Sequence, residues 1–167
     1  MVQAFVYHGP AFSELRTLYN RWTWQELRWG LEHTIVNESD LRSYASEQLN
    51  ESNPLFDLLL DLVTEDKYSD QITRKVDNLC NAEVPESNGQ IEFVWRNVIL
   101  IWIIQQQYDD AKLQNEIELL FATFSHPADM ASLIRWMPPS PGEVCSLPWN
   151  IRVQLKKYID NCSFFQS

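Results

Sequence analysis

The sequence has few basic residues for its length. Its 167 residues contain 13 Lys and Arg against 23 Asp and Glu, which gives a net charge of -10. Affinity for nucleic acid comes largely from cationic side chains that neutralise phosphates. We therefore expect no direct nucleic acid ligand, and a basic protein is the more natural partner.

Cysteine and long apolar segments are also scarce. The three cysteines, Cys80, Cys145 and Cys162, are odd in number and form no Cys-x-x-Cys pair, which fits reduced thiols better than a disulfide framework. The longest apolar run, Val98 to Ile104, has seven residues, whereas a membrane span needs about 20. The amino-terminal residues do not read as a targeting segment. We expect a cytoplasmic protein that does not enter a membrane.

The motifs of common enzymes and metal sites are missing. His8, His33 and His126 have no Cys or His at ligand spacing, and there is neither a glycine-rich phosphate loop nor a Gly-x-Ser-x-Gly motif. Asp109 and Asp110 are adjacent, so on a helix they would diverge by about 100° and would not share a proton. They suit a helix start instead. The sequence predicts no catalytic, cofactor-binding or metal-binding residue and therefore no enzyme.

Apolar residues at helical spacing are what the sequence has in abundance. Thr23 and Glu26 form a capping box, and the apolar residues that follow at spacings of three and four predict a helix from Trp24 to Thr34. Ser39 is the predicted cap of the next helix, and Asn53 with Pro54 would open another. These two helices are predicted over 40–49 and 55–64. Similar patterns predict further helices from Ser69 to Cys80, over 91–107, from Asp109 to Phe124, over 125–137 and over 148–161.

Two segments leave alternatives open, and one marks a break. Ile91 to Gln107 is apolar on almost every side, so periodicity cannot separate a buried helix from a strand, but its length favours helix. Gln3 to Tyr7 could form a short strand. Ala82 to Gln90 contains Pro85 and an Asn88-Gly89 pair and reads as a loop between two halves. The prediction is an all-α single domain, residues 1–167, of about seven or eight helices packed as antiparallel hairpins or as a short solenoid-like array.

The acidic residues are concentrated in the middle of the chain. Residues 38–92 contain 13 acids and four bases, so nine of the ten net negative charges lie there. Asp57, Asp61 and Glu65 recur at every fourth position, which on one helix would form a stripe without Lys or Arg. Such a field can steer a basic partner, although a solvated face is the plainer interpretation. The predicted partner-binding residues are Asp57, Asp61, Glu65, Asp66, Asp70 and Asp77.

Tryptophan is unusually frequent, with seven residues in the chain. Trp24 and Trp95 are predicted to fill the core of a helical domain. The alternative is that one or two of the seven remain exposed and anchor a protein interface, where Trp is enriched.

Uncommon residue pairs occur in two blocks. The first consists of Trp24-x-x-Leu27-x-Trp29-Gly30, Asp40-Leu41 and Tyr44-Ala45, and the second of Trp95-Arg96, Ile101-Trp102, Phe121-Ala122-x-Phe124-x-His126-Pro127 and Arg135-Trp136-Met137-Pro138. Together they reach across about two thirds of the chain and resemble an uncharacterised family of short bacterial proteins associated with immunity proteins of toxin systems, including contact-dependent growth inhibition. That family has Tyr where His126 and Trp136 stand, and both substitutions keep a ring.

The resemblance implies an all-helical domain that binds and neutralises a cognate toxin, and it supplies no binding residues. Combined with the acidic charge, it predicts occlusion of the basic active site of a nuclease domain, with an RNA-cleaving toxin implied by the family association alone. The alternative is a helical adaptor or scaffold that binds a regulatory protein or a peptide without inhibiting an enzyme. A hydrolase with dispersed carboxylates is the third interpretation.

Overall fold

The computed structural model describes residues 7–66, 70–137 and 149–166. Every regular element in these ranges is helical, which confirms the predicted all-α class. The α-helices are α1 (Phe12–Leu18), α2 (Trp24–Glu32), α3 (Glu38–Glu47), α4 (Phe56–Thr64), α5 (Ile72–Asn81), α6 (Asn88–Gln105), α7 (Asp110–Thr123) and α8 (Ile151–Asn161), and 3-10 helices lie at Ala128–Leu133 and Ser163–Gln166. In the part of the chain that the structure describes, no helix is long and apolar enough to cross a bilayer.

The observed helix caps agree only in part with the caps predicted from the sequence. The Thr23 hydroxyl accepts the amide of Glu26 at 3.1 Å, and the Glu26 carboxylate accepts the amide of Thr23 at 2.9 Å, so the predicted capping box is confirmed. The cap of α3 is Asn37 rather than Ser39, because the Asn37 side chain is the one that accepts the amide of Asp40. The Asn53 side chain accepts the amide of Leu55 at 2.9 Å, which makes a turn before α4 instead of its cap.

Several predicted segments have different bounds. The segment 91–107 is helical, as its length indicated, but α6 already begins at Asn88, so the Asn88-Gly89 pair does not belong to the loop. The region predicted as a helix over 125–137 holds only the 3-10 helix Ala128–Leu133. Ser125 and His126 precede it with φ of 58° and 61°, and two successive left-handed residues cannot continue an α-helix.

The remaining differences concern elements near the ends of the described ranges. The helix α1 was not predicted at all. The last α-helix begins at Ile151, because the side chain of Asn150 accepts the amides of Arg152 and Val153. The predicted cap Ser69 and most of the possible strand at 3–7 lie outside the described residues.

Contacts divide the chain into two compact units, Met1–Trp95 and Arg96–Ser167. The division falls within α6 and not in the predicted break, since the loop 82–87 lies inside the first unit. In that unit α3 packs on α4, α4 on α5 and α2 on α5. Whether the chain behaves as a single domain stays a prediction.

The core of the first unit is built around Trp95, which is fully buried. Its ring centroid lies 4.2 Å from that of Trp22, 6.0 Å from that of Phe12 and 6.1 Å from that of Trp29. The indole N–H of Trp95 donates to the carbonyl of Glu26 at 2.9 Å, so the ring has a fixed orientation. The prediction that Trp24 and Trp95 belong to the core is confirmed.

The second unit encloses a polar pair in its core. Asn97 is fully buried, and its side-chain oxygen accepts the Tyr158 hydroxyl at 2.8 Å. Burial raises the pKa of the Tyr158 phenol, so the hydroxyl remains a donor. Nearby in sequence, Arg96 forms an ion pair with Asp129 at 2.5 Å.

Replacing Tyr158 by phenylalanine is expected to lower the free energy of unfolding by about 1 kcal/mol, because the buried oxygen of Asn97 loses this donor. Chemical denaturation measures the effect. Tyr108→Phe is the matched control, because the contact of Lys112 with the face of that ring is kept. Equal losses in the two variants would show that the hydroxyl pair contributes nothing.

Candidate partner-binding surface

The predicted acidic stripe lies along α4 and reaches the residue that ends this helix. Asp57 and Asp61 are exposed on the same face of α4, one turn apart. Glu65 is the residue that ends α4, with an extended backbone (φ -61°, ψ 141°). Glu65 therefore stands at the end of the stripe, as the cap residue of the helix, and only 15% of its side chain is exposed.

Lys75 of α5 neutralises part of this face. Its ammonium group donates to the Asp61 carboxylate at 2.8 Å and also forms an ion pair with Glu65. Hydrogen bonds to Asp61 and then to Glu65 raise the pKa of Lys75. The sequence places no Lys or Arg between these carboxylates along α4, but a neighbouring helix supplies a cation, which spacing along α4 could not reveal.

The other predicted residues divide into two groups. Asp66 and Asp70 are exposed, and the carbonyl of Asp66 accepts the guanidinium of Arg42 at 2.9 Å. Asp77 instead pairs with Arg28 of α2 at 2.7 Å, although Arg74 is nearer in sequence. We call Asp57, Asp61, Asp66 and Asp70 the acidic surface, since these four predicted carboxylate residues are the exposed ones.

The sequence interpretation missed apolar residues beside this surface. Phe56, Leu60 and Val63 follow one another at spacings of four and three along α4, and Leu60 is 40% exposed while the other two are half-buried. We call these three residues the apolar stripe. The sequence shows this spacing, but Leu59 and Leu62 in the same segment are spaced in a similar way. The spacing alone does not tell which leucines are exposed, and the structure buries Leu59 and Leu62 completely.

A groove of about 470 Å³ lies elsewhere in the first unit, between α2, α5 and the start of α6. Arg28 in its wall donates to Glu32 and to Asp77, each at 2.7 Å. Burial raises the pKa of the Cys80 thiol to about 12, so this cysteine is not an activated nucleophile. Among the residues that the structure describes, no group of His, Cys, Asp and Glu could hold a metal ion.

The loop 82–87 is fastened to the start of α2. The Glu83 carboxylate accepts the amides of Trp24 at 3.0 Å and Gln25 at 3.2 Å, which are amides that the first helical turn leaves without a partner. The Gln25 side chain in turn donates to the carbonyl of Val84 at 2.7 Å and accepts the amide of Glu86 at 2.8 Å. These bonds bring the carboxylates of Glu83 and Glu86 towards the same helix end.

Glu26 is the most perturbed carboxyl group of this region, with only 2% of the residue exposed. Burial, followed by the nearby carboxylates of Glu86 and Glu83, raises its pKa to about 7 against the hydrogen bonds from Thr23. The carboxyl group therefore keeps its proton to a higher pH than an exposed Glu does. Its role is structural, because it also completes the capping box of α2.

The tryptophans are mostly core residues. Trp22, Trp24, Trp29 and Trp95 are buried, whereas Trp136 in the second unit is 63% exposed. The Trp136 ring meets that of Phe121 edge-on at 6.1 Å. The interface-anchor alternative thus remains open for Trp136.

Three residues of the uncommon pairs have packing roles. A side chain on Gly30 would collide with Trp95, and the buried Tyr44 hydroxyl donates to the carbonyl of Trp22 at 2.8 Å. In the second block, His126 packs edge-on against Phe121 at 4.9 Å. These residues therefore stabilise the fold, whereas Trp136 of the second block is exposed.

Neither a curated protein nor a solved structure matches the chain at a significant level. A family model matches residues 13–162, which include every one of the pairs described above, and its description is an uncharacterized protein conserved in bacteria (DUF2247). With this match over most of its length, the chain belongs to that bacterial family.

Proposed function

We propose that this protein is a non-catalytic immunity protein that binds the nuclease domain of a cognate toxin, one that cleaves RNA, in the cytoplasm of the cell that makes both. The acidic surface of the first unit carries the proposal. Asp57 and Asp61 project from one face of a regular helix, about 6 Å apart along its axis. They present fixed negative charge to a partner before contact.

The physical argument is electrostatic substitution. A nuclease must attract phosphate, so its active site is lined with cationic side chains. Carboxylates held on a helix can occupy such a cleft and exclude the nucleic acid, and their field raises the rate of encounter. The choice of a toxin as partner comes from the resemblance of the sequence, because the description of the family assigns no function.

Asp57 offers the sharpest test of this proposal. Within the described ranges no cation contacts it, whereas Asp61 is bonded to Lys75. Asp57→Lys is expected to slow association with the polypeptide encoded immediately upstream of this gene by about tenfold at low ionic strength, since long-range steering is lost. Stopped-flow mixing at about 0.01 M and 0.15 M salt measures the rate, and the effect should shrink as the Debye length falls from about 30 Å to about 8 Å.

Asp160→Lys is the matched control, because it makes the same change in net charge at an exposed residue of α8 in the second unit. This variant should associate at nearly the wild-type rate. If the two reversals slow association equally, the acidic surface is a solvated face. If the upstream polypeptide is neither toxic nor bound, the proposed function is wrong and the adaptor alternative takes its place.

A further inference from the structure

The start of α2 is held by two carboxylates, and one of them comes from another segment. In the capping box, the amide of Thr23 donates to the Glu26 carboxylate and the amide of Glu26 donates to the Thr23 hydroxyl. The amides of Trp24 and Gln25 donate instead to Glu83, which lies 59 and 58 residues further along the chain. The helix therefore has its own cap and a second cap that the loop between α5 and α6 supplies.

This second cap belongs to a loop that buries none of its residues. Residues 82–87 are all described by the structure, and each of them is exposed or half-buried, with Val84 84% exposed. The Gln25 side chain adds two bonds, since it donates to the carbonyl of Val84 at 2.7 Å and accepts the amide of Glu86 at 2.8 Å. Segments with few buried apolar contacts open locally at a lower free energy than the core does. The loop can therefore leave α2 while the core stays folded.

Three carboxylates meet at this helix start. Glu26 is buried, whereas Glu83 and Glu86 of the loop are half-buried. Burial raises the pKa of Glu26 to about 7, the hydrogen bonds from Thr23 lower it, and the charges of Glu86 and Glu83 raise it further. Part of the cost of ionising Glu26 therefore comes from the loop, and this part disappears when the loop leaves.

The remaining titratable groups around Glu26 keep their charge state near neutral pH. Burial raises the pKa of Tyr19, which precedes α2, to about 12 and also raises that of Tyr44 on α3, so both phenols stay protonated. The guanidinium carbon of Arg21 lies 5.8 Å from the ring centroid of Tyr19, and that of Arg16 lies 5.2 Å from the ring centroid of Tyr44. Arginine is always charged in proteins. The response to pH in this cluster therefore lies with Glu26.

We propose that the loop 82–87 is a strap that closes one wall of the groove between α2, α5 and α6, and that this strap opens more often as the pH rises through neutrality. Gln25 and Glu86 take part in the strap bonds and also line the groove. Once Glu26 ionises, departure of the loop separates three like charges and admits water to the helix start. The device goes beyond the proposed function and does not depend on which partner the protein binds.

The direction of the effect follows from proton linkage. The closed strap binds the Glu26 proton more tightly than the open strap does, because the loop carboxylates are close only in the closed state. Loss of this proton therefore favours opening, and the closed state is favoured below the pKa of Glu26. A difference of one pKa unit between the two states makes opening about tenfold more frequent at high pH than at low pH.

Hydrogen exchange followed by NMR tests the strap at the amides of Trp24, Gln25 and Glu86, each of which donates a strap bond. After correction for the intrinsic exchange rate, we expect the protection of these amides to fall about tenfold from about pH 6 to about pH 8. In Glu26→Gln, which still accepts the amide of Thr23 but cannot ionise, their protection should stay constant over this range. A loss that persists in this variant would overturn the strap.

The start of α3 is the control within the same molecule. The amide of Asp40 donates to the side chain of Asn37 at 2.9 Å, and the Asp40 carboxylate accepts the amide of Asn37, so this capping box is made within one segment. Its protection should change by less than about twofold between the two pH values. Equal losses at α2 and α3 would show that the whole molecule opens, and they would contradict a local strap.

Glu86→Gln is the second variant, and it decides the matter if Glu26→Gln does not fold. It removes one loop carboxylate from a half-buried position and keeps the backbone bond from residue 86 to Gln25. The loss of protection at Trp24 and Gln25 should be smaller than in the wild type, because less repulsion is relieved when the strap opens. An undiminished loss in Glu86→Gln would refute the role of the loop carboxylates and with it the proposal.

Discussion

Gly30→Ala is expected to lower the free energy of unfolding by about 3 kcal/mol, at the upper end of the usual cost of overpacking. The added Cβ would lie 2.6 Å from a ring carbon of Trp95 and 2.7 Å from a methyl group of Val36. Both neighbours are buried, and the Trp95 indole is bonded to the carbonyl of Glu26, so neither can withdraw without breaking other contacts. Thermal or chemical unfolding measures the loss.

The sign of this effect makes the test specific. Alanine in a helix ordinarily stabilises by up to about 1 kcal/mol relative to glycine. Gly89→Ala is the matched control, because Gly89 lies in the first turn of α6 and its added Cβ would meet only Ser87 Oγ at 4.0 Å. Gly89→Ala should therefore stabilise the protein slightly. If Gly30→Ala did the same, the close approach of α2 and Trp95 would be refuted.

Glu26→Gln is expected to remove a pH dependence of stability worth about 3 kcal/mol. The pKa of Glu26 is raised from 4.5 to about 7, so the folded protein binds this proton more tightly than the unfolded chain does. Its stabilisation is fully present below about pH 4.5 and is lost as the pH rises through about 7. One pKa unit corresponds to about 1.36 kcal/mol, which gives the stated magnitude.

Glutamine can still accept the amide of Thr23 but cannot ionise. The groups that face Glu26 from other segments, Glu83 and Glu86 from the loop, Tyr19 before α2 and Tyr44 from α3, stay in place in the variant. Chemical denaturation at about pH 5 and pH 8 measures the difference from wild type, which should grow in favour of Glu26→Gln as the pH rises.

The control for this measurement is Glu14→Gln. Glu14 is the third residue of α1, and its carboxylate accepts the amide of the N-cap residue Ala11 at 3.1 Å. Its side chain is exposed, so the burial that drives the effect at Glu26 is absent. A difference that stays constant from about pH 5 to pH 8 in Glu26→Gln would contradict the interpretation.

Local signals were sufficient for much of the helical organisation. The capping box of Thr23 and Glu26 is a contact across three residues, so it can be read directly from the sequence. Helix α1 escaped prediction because it is only seven residues long and buries just Phe12 and Leu15, which is too little for a periodic pattern. The left-handed backbone conformation of Ser125 and His126 could not be predicted either, because neither residue is glycine.

Only the acidic residues of the candidate site could be predicted from the sequence. Asp57 and Asp61 share an exposed face, as helical spacing required. Lys75 comes to Asp61 from 14 residues away, and Glu83 reaches the amide of Trp24 across 59 residues. Contacts over such separations depend on tertiary packing, which no periodicity within one helix encodes.

The position of Trp95 in α6 has a consequence for synthesis on the ribosome. The emerging chain makes α1 to α5 first, at about 5 to 20 residues per second, and all of them belong to the unit that needs this indole. Until Trp95 leaves the exit tunnel, Phe12, Trp22 and Trp29 lack the ring that all three contact, and the Glu26 carbonyl lacks the indole donor. A nascent or truncated chain that ends in the loop 82–87 would therefore carry an open aromatic cavity, a natural substrate for chaperones and proteases.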